Sequence, residues 1–571
     1  MTLRKTLALL LACLMMVGLM AGCASETTPS TTTDTPATPS TTDTPATEAP
    51  AEEPADEIET VETPELADTT TETTSVAGYD LGGLTLPLAD ELTTITAFRS
   101  FSSQYLTDPN EKACYQVLED RTNVHIDWST YSETDQFYLY IVSQEYTDLL
   151  YMESLSLYTG GFDKGIEDEV LVAGNDYLQY MPNFSAYLKS NPDIDKQCKT
   201  DSGNYFFNNV QSGEQPAWVG PMMRTDWVAD VGMELPVTFD DWYNILTAWK
   251  NDLGISNAML LGSTGYSALG YGLTVGYNTI GDFYAENGTT VKYGIMDPGF
   301  KEYVEMMTKW YAEDLIHPDF VSVAWYSSSD YYVSNEMGAF DDQMYTFRGI
   351  LPMMNPDEDD NLVAVPFPTK TAEEQGSLHF RRVNEICGTT PIFITVEAIE
   401  NGVDELCARW IDYHYSEDGA FILNYGVEGE TWELGEDGLP HFNEFFLNNP
   451  DGKMVSEMTD RYADGGYGSY YMWIREYDQY AEDVLSAYTT WGNSSTGDWV
   501  MPPVTMTAEE GEDYNEIFSN IQTYVNEMVA RIITGAVSFD EWDSVVAEIE
   551  AMGIQECIDI KQAALDRYNA R

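Results

Sequence analysis

Apolar and polar positions divide the chain into three zones. Residues 7–20 are apolar throughout, with Gly18 inside the run. Residues 24–78 are polar and show no helical or strand period. From about Leu84 onward, short apolar runs alternate with amphipathic ones. Thr94-Ile95-Thr96-Ala97-Phe98 predicts a strand. Asp108-Pro109 supplies an N-cap and a first helical residue, and Cys114, Val117 and Leu118 then recur on one face of the helix they open. Asn123 suits the left-handed cap at its end. Val124 to Trp128 alternates as a second strand, with His125 on the polar phase. A helix near 135–143 leads to an apolar strand at 148–152. Strand, helix, strand, helix, strand is the order of an α/β domain. Farther on, Thr238-x-x-Asp241 and Ser538-x-x-Glu541 read as capping boxes. Ile517, Ile521, Tyr524, Val525, Met528 and Ile532 keep helical spacing, as a core stripe does.

The two N-terminal zones change the setting of that domain. Arg4 and Lys5, an apolar run of about 14 residues and small residues after it make an export signal; a bilayer span needs roughly 20. Met20-Ala21-Gly22-Cys23 resembles the lipobox of bacterial lipoproteins, with Met20 where Leu is usual. That resemblance implies diacylglycerol on the Cys23 sulfur and Cys23 as the mature N-terminus, so the expected location is the outer face of the cytoplasmic membrane. Residues 24–78 hold 13 acids and no Lys or Arg, and repeat Thr-Thr-Asp-Thr-Pro-Ala-Thr at 32–38 and 41–47. Low hydrophobicity and charge of one sign keep such a segment from forming a core. It reads as an extended tether reaching at most about 170 Å.

The full chain of 571 residues carries a formal charge of −70. Without the leader and tether it still has 83 acidic against 24 basic residues. Nucleic-acid binding, which neutralises phosphate with Lys and Arg, is excluded on that balance. Polyanionic ligands are repelled at long range, so a neutral or cationic small ligand is expected. Beyond Cys13 and Cys23 there are five cysteines, Cys114, Cys198, Cys387, Cys407 and Cys557, with no CxxC spacing. Buried thiols are expected, with one or two bridges left open. No GxSxG, HExxH or GxxxxGK[ST] motif is present, and no cofactor is expected. Asn355-Pro356-Asp357-Glu358-Asp359-Asp360-Asn361 is rich in oxygen ligands, but it lacks the glycine and closing glutamate of an EF-hand loop. A solvated turn is preferred there, with a calcium site as the alternative, and no metal ligand is assigned.

Several blocks together resemble the extracellular solute-binding lipoproteins of ABC importers, of the family 1-like, carbohydrate-binding type. Leu118 to Ile126 is similar to that family's helix-turn-strand element, with Asn123 where Gly is usual. Ser143 to Asp148 is similar to its following turn. Arg224-Thr225-Asp226-Trp227 with Gly232, Pro236, Thr238 and Trp242 matches a further block. So do Trp310 to Phe320, Asp412 to Gly419, and Tyr425 to Trp432. The resemblance covers nearly everything from about residue 90 to the end. It implies a two-lobed, periplasmic-binding-protein-like α/β fold of type II, with ligand in the interlobe cleft. The implied division is a signal peptide at 1–22, a lipidated tether at 23–84, one lobe from 85–208 and 340–415, and a second from 209–339 and 416–571. The implied partners are a small solute, an importer's permease subunits and, through the lipid, the membrane; the expected state is a monomer.

A sugar cleft needs flat rings for C–H faces and planar polar groups for hydroxyls. The chain has 13 Trp, 38 Tyr and 22 Phe, and aromatics also fill cores. Position selects among them. Ser100, Phe101 and Tyr105 follow the first strand, and Glu153 with Ser154 follows a later one, where open α/β sheets place ligands. Trp218 lies in a turn-rich stretch at the first implied crossing, and either faces ligand or packs. Arg224 either bridges an acid within its lobe or reaches the cleft. Asp341 and Asp342 sit at the second implied crossing, as hydroxyl acceptors or as a solvated turn. Arg381 is able to pair with a carboxylate or a ligand. Glu430 and Trp432 belong to the best-matched block. One of Trp473 and Trp491, in aromatic loops, is expected to face ligand. The favoured function is capture of an extracellular solute, with carbohydrate preferred, for delivery to a permease; no catalysis is expected. A lipid-anchored polysaccharide-degrading enzyme and a surface adhesion or sensory module are the alternatives.

Overall fold

A computed structural model of the chain describes residues 75–76, 78–212, 217–261, 272–323, 331–332, 334–342, 361–381, 386–388, 390–480 and 482–571. The leader, Cys23, almost all of the tether and the oxygen-rich turn up to residue 360 lie outside the described residues. Among the described residues, no helix is long and apolar enough to cross a membrane.

The elements that position the site follow in chain order. They begin with β1 (Thr93–Ser100), α1 (Ala113–Thr122), β2 (Val124–Tyr131), α2 (Thr134–Ser143) and β3 (Leu149–Tyr151), followed by α3 (Pro182–Ser190), α4 (Pro192–Gln197) and β4 (Val210–Gln211). Next come β5 (Gly220–Arg224), α5 (Phe239–Ala248), β6 (Met259–Leu261), α6 (Pro298–Ala312), β7 (Ala339–Asp342) and β8 (Leu362–Ala364). The last group is β9 (Ile392–Ile394), α7 (Asp404–Tyr413), α8 (Glu417–Tyr425), α9 (Val455–Tyr462), β10 (Tyr470–Tyr471), α10 (Glu482–Ser494), α11 (Ala508–Ile533), α12 (Trp542–Ala551) and α13 (Ile554–Ala570).

Local signals set most of these boundaries. Asp108 and Glu111 form a capping box on a single 3-10 turn, and α1 follows it. The helix ends on Asn123 in the left-handed region, φ 56°. His125 lies half-exposed against Glu119 at 2.6 Å. Thr238 and Asp241 box the start of α5. Ser538 caps only a short turn at 539–541, from which α12 continues. In α11 the expected stripe buries Ile521, Val525 and Ile532.

Two four-stranded sheets result. The first runs β9-β3-β1-β2, with β1 parallel to both β2 and β3 and β9 antiparallel to β3. Both of its faces are covered, as parallel strands require: Ile95 and Ala97 point into a core with α1 and α7, while Phe98 and Leu150 point into a second cluster with Phe137 of α2. The other sheet runs β8-β5-β7-β6, with β7 parallel to β6 and antiparallel to β5. It sits in a core drawn from residues between Ala217 and Phe380 and between Val484 and Leu565.

This packing departs from the expected division at two places. β7 is hydrogen-bonded to β5 and to β6 at once, so residues 340–342 and 361–380 pack with the second sheet rather than the first. Ile422 and Leu423 of α8 join the first core, and Phe421, Trp432, Phe446 and Met472 form a cluster beside it, so 416–472 packs with the first sheet. The expected boundaries rested on block order, and hydrogen bonding between distant strands decides the actual ones.

Candidate functional site

Parallel strands β1, β2 and β3 end together at Ser100, Tyr131 and Tyr151. The strand period turns Arg99 inward with Ile95 and Ala97, so its guanidinium is buried at the strand ends, 4 % exposed. It lies over the rings of Tyr467, Trp128 and Tyr151, at 4.6, 5.4 and 5.8 Å from their centroids. Its Nη1 donates to Asp464 at 2.5 Å and to the Tyr115 hydroxyl at 3.1 Å, and Tyr115 donates to Asp464 at 2.8 Å. Burial opposes the guanidinium charge, but the Asp464 carboxylate outweighs it and holds Arg99 even more firmly protonated than usual. Burial likewise acts to raise Asp464, and Arg99 with Lys112 overcomes it, holding the carboxyl well below the ordinary range.

Around this ion pair the rings form a continuous wall. Tyr115 meets Trp128 edge-on at 5.2 Å, Trp128 meets Tyr151 at 5.2 Å, and Tyr151 meets Tyr467 at 5.7 Å. Tyr467 is half-buried and closes the wall toward solvent, with exposed Glu153 near its hydroxyl and that of Tyr131. Burial, then, with the Glu153 charge after it, pushes the Tyr131 hydroxyl above its usual range. The loop that carries Tyr467 is held from below. Gly468 donates to the Thr390 carbonyl at 3.1 Å, and Asn209 donates to the Gly465 carbonyl at 3.0 Å. A Cβ on Gly468 would lie 2.6 Å from the Ile392 side chain, so this close approach requires glycine.

His414 supports the same loop. Its Nδ1 faces the Gly468 carbonyl at 3.2 Å, and its Nε2 has no partner among the described residues. Burial pushes its pKa down to about 4, against a weaker upward pull from the Gly468 carbonyl and Asp464. The neutral imidazole therefore stabilises the fold fully above the unfolded value of 6.5, and this contribution is lost as pH falls from there through about 4. Asp412 opposes it in the same core: burial raises its carboxyl to about 7, against hydrogen bonds from Phe184 and Asn183, so its protonation favours the fold as pH falls. His414→Gln is expected to isolate the first effect. The stability advantage of the natural protein over this variant should shrink by up to about 3 kcal/mol between pH 6.5 and pH 4. Urea unfolding of both proteins across that range measures it, and parallel curves would refute it.

Three chain segments run side by side next to the wall. β4 is parallel to β10 and bridged to Cys387 on its other side. Gln211 donates to the Ile386 carbonyl and Ser212 to the Tyr471 carbonyl, both at 2.9 Å. Trp473 is fastened here: its backbone N–H donates to Ser212 Oγ and its indole N–H to Gln211 Oε1, both at 2.9 Å. The ring stays half-buried and meets Tyr471 edge-on at 4.9 Å.

The structure gathers some expected site residues and disperses others. Ser100, Phe101, Tyr105 and Glu153 lie around the strand ends. Phe101 sits 5.9 Å from Lys112, and Tyr105 sits 5.6 Å from Arg461 of α9. Trp473 adjoins the crossing, and half-buried Trp218 packs on the second core just beyond it. Asp341 and Asp342 are buried at the carboxyl end of β7, and Gly272 abuts the Asp341 carboxylate so closely that a Cβ would sit 1.7 Å from it. Arg381 donates to the Gly492 carbonyl at 3.0 Å. Glu430 is exposed and accepts from the Tyr462 hydroxyl at 2.8 Å.

Three candidates are held inside the packed structure, Arg224 in the acid-bridging role that was one of its two expected ones. Arg224 is spent inside the second core on Asp226 and Asn335, with its guanidinium over Trp227 at 4.4 Å. Trp491 is fully buried, donates to the Pro221 carbonyl at 3.0 Å and is packed against Gly220. Trp432 is buried among Tyr79, Phe421 and Tyr425. Trp432→Ala is therefore expected to cost about 3–5 kcal/mol of stability and to leave the affinity of the folded fraction unchanged; denaturant unfolding and a ligand titration separate the two. Sequence reasoning missed Arg99, Asp464, Tyr467 and Tyr471. The glycine-rich run around Tyr467 was visible, but its partner strand was not.

Cations in this region come with partners. Arg99 has Asp464, Lys112 has Asp460 at 3.2 Å, Arg461 has Glu457 at 2.9 Å and Arg475 has Glu476 at 3.1 Å. Among the described residues, no group of three or more His, Cys, Asp or Glu side chains is placed to hold a metal ion. The five cysteines in the described region are buried and unbridged, with the Cys198 and Cys387 sulfurs 3.7 Å apart.

No family model matches the chain. It is 24 % identical over 541 residues to the fructooligosaccharide ABC transporter substrate-binding protein FusA of Streptococcus pneumoniae serotype 4, covering 87 % of this chain and 94 % of that one. It is 23 % identical over 389 residues to lipoprotein LipO of Bacillus subtilis, covering 66 % and 73 %. An extracellular solute-binding protein of Bifidobacterium longum subsp. infantis superposes with TM-score 0.68 at 16 % identity, over 84 % of this chain and 99 % of that one.

Proposed function

The chain is a distant relative of ABC-transporter substrate-binding proteins and has the α/β fold of solute-binding proteins; from that premise we propose that it captures an uncharged oligosaccharide outside the cell and delivers it to a membrane permease. The observation that carries this reading is the end of the first sheet. An aromatic wall opens through Tyr467 beside exposed Glu153, and the neighbouring cations are already paired. Rings of this kind stack on the C–H faces of a sugar, and a carboxylate accepts from its hydroxyls. Among the described residues beside the wall, these cations are each paired with a carboxylate, which favours a neutral ligand over a uronate or a phosphate. One relative is named as a fructooligosaccharide ABC transporter substrate-binding protein. We assign the two cores to two lobes and β4, 386–388 and β10 to the hinge between them. Closure about that hinge would exclude water and strengthen the sugar's hydrogen bonds. A lipid on Cys23, as in a lipoprotein such as LipO, would keep the binder at the outer face of the membrane beside its permease.

The test is a titration of tryptophan fluorescence with fructooligosaccharides, other neutral oligosaccharides and an oligouronate, with chromatography of each mixture afterwards. Saturable binding of a neutral sugar, recovered intact, is expected. Cleavage of the sugar, or binding confined to the uronate, would overturn the reading.

A further inference from the structure

Helix α2 shows an apolar face to solvent. Phe137 is fully buried, and Tyr140 stacks on Phe98 at 4.0 Å with rings 5° from parallel, so one side of the helix is anchored. The opposite side carries Asp135, Tyr138, Leu139 and Val142, the i, i+3, i+4, i+7 spacing that normally faces a core. Here Val142 is 78 % exposed, Leu139 69 % and Tyr138 46 %. Among the described residues these first two are the most exposed large apolar side chains. Contiguous exposed apolar surface of this kind marks a binding face.

We propose that this face docks a membrane-spanning permease subunit, through an exterior loop that presents an apolar contact ringed by Lys or Arg; the inference rests on the transport reading above. Charge selects that occupant. Glu133, Asp135 and Glu145 border the face, and residues 129–147 contain no Lys, Arg or His. A second copy would bring the same three carboxylates against them, and an anionic bilayer surface would repel them as well. A partner with cations around an apolar centre matches both features. Position agrees with that role. α2 starts three residues after β2 ends at Tyr131, at the rim of the site. Phe98 of β1 stacks on Tyr131 at 5.0 Å as well as on Tyr140, so the docking helix and the strand ends form one rigid plate. A permease seated on α2 would thereby hold the mouth of the site in a fixed orientation.

The experiment places a photo-crosslinker on the full-length, membrane-anchored protein as Leu139→p-benzoylphenylalanine, with the same substitution at Met454, 64 % exposed on another part of the surface, as the control. An adduct at position 139 with a polytopic permease subunit, identified by mass spectrometry and absent at position 454, is expected. An adduct with a second copy of the chain, with lipid alone or with nothing would overturn the proposal. The double variant Leu139→Glu, Val142→Glu provides the functional arm. Sugar affinity should stay within twofold and uptake should fall at least tenfold, and unchanged uptake would equally overturn it. A permease adduct from a protein that binds no sugar would remove the carbohydrate reading and leave this surface standing. No adduct from a protein that binds sugar would remove this surface alone.

Discussion

Asp464→Ala is expected to be the most damaging single change at the strand ends, lowering stability by about 3–5 kcal/mol. Both members of the Arg99–Asp464 pair are desolvated, with side-chain exposures of 5 % and 9 %. Removing the carboxylate leaves a guanidinium that stays protonated and has only neutral partners, the Tyr115 hydroxyl and the Ser100 carbonyl. The penalty is that of an unpaired buried charge, so it should exceed the net worth of the pair itself. Replacing both residues together, as Arg99→Met with Asp464→Leu, should recover much of the loss, because neither charge then has to be desolvated. Denaturant unfolding of the single and double variants decides the matter. A single variant within about 1 kcal/mol of the natural protein would mean that water reaches the pair. Sugar binding should fall with the single variant even where it remains folded, because Asp464 fixes the loop that presents Tyr467.

Tyr467→Ala is expected to weaken oligosaccharide binding tenfold or more, about 1.4 kcal/mol or above, with a smaller effect on stability. The ring is only half-buried and its inner face is taken by Arg99 and Tyr151, which leaves its outer face and the hydroxyl for a ligand. Tyr467→Phe separates stacking from hydrogen bonding: it should keep most of the affinity if the ring dominates. Trp473→Ala should act in the same direction. Its indole is already oriented by Gln211 and Ser212, so little ordering is left to be done on binding. Calorimetric titration of the three variants measures these effects. Unchanged affinity in both alanine variants would move the site away from this wall.

Much of the first sheet was legible in the sequence. β1, β2 and the helices between them follow from apolar period, the Asp108 cap and the Asn123 stop, each of which acts within a few residues. The acidic balance set the expectation of a neutral or cationic small ligand, and the strand-end positions Ser100, Phe101, Tyr105 and Glu153 were expected from a rule about parallel sheets. Aromatic identity was a poorer guide. Trp432 stands in a family-matched block and Trp491 in what reads as an aromatic loop, yet both are core residues, because the surfaces that cover them come from Tyr79 and from Gly220–Pro221, far away in the chain. Arg224 was similarly absorbed by Asn335.

What the sequence determined by itself is therefore local or collective: the helices and strands, the polar, acidic composition of residues 24–78 and the sign of the net charge. Which carboxylate neutralises Arg99, which tyrosine closes the wall and which helix face stays uncovered were decided only in the tertiary structure. The physical reason is separation along the chain. A cap or a period is satisfied within one or two turns, whereas Asp464 meets Arg99 across 365 residues, and no local preference of either residue encodes that meeting.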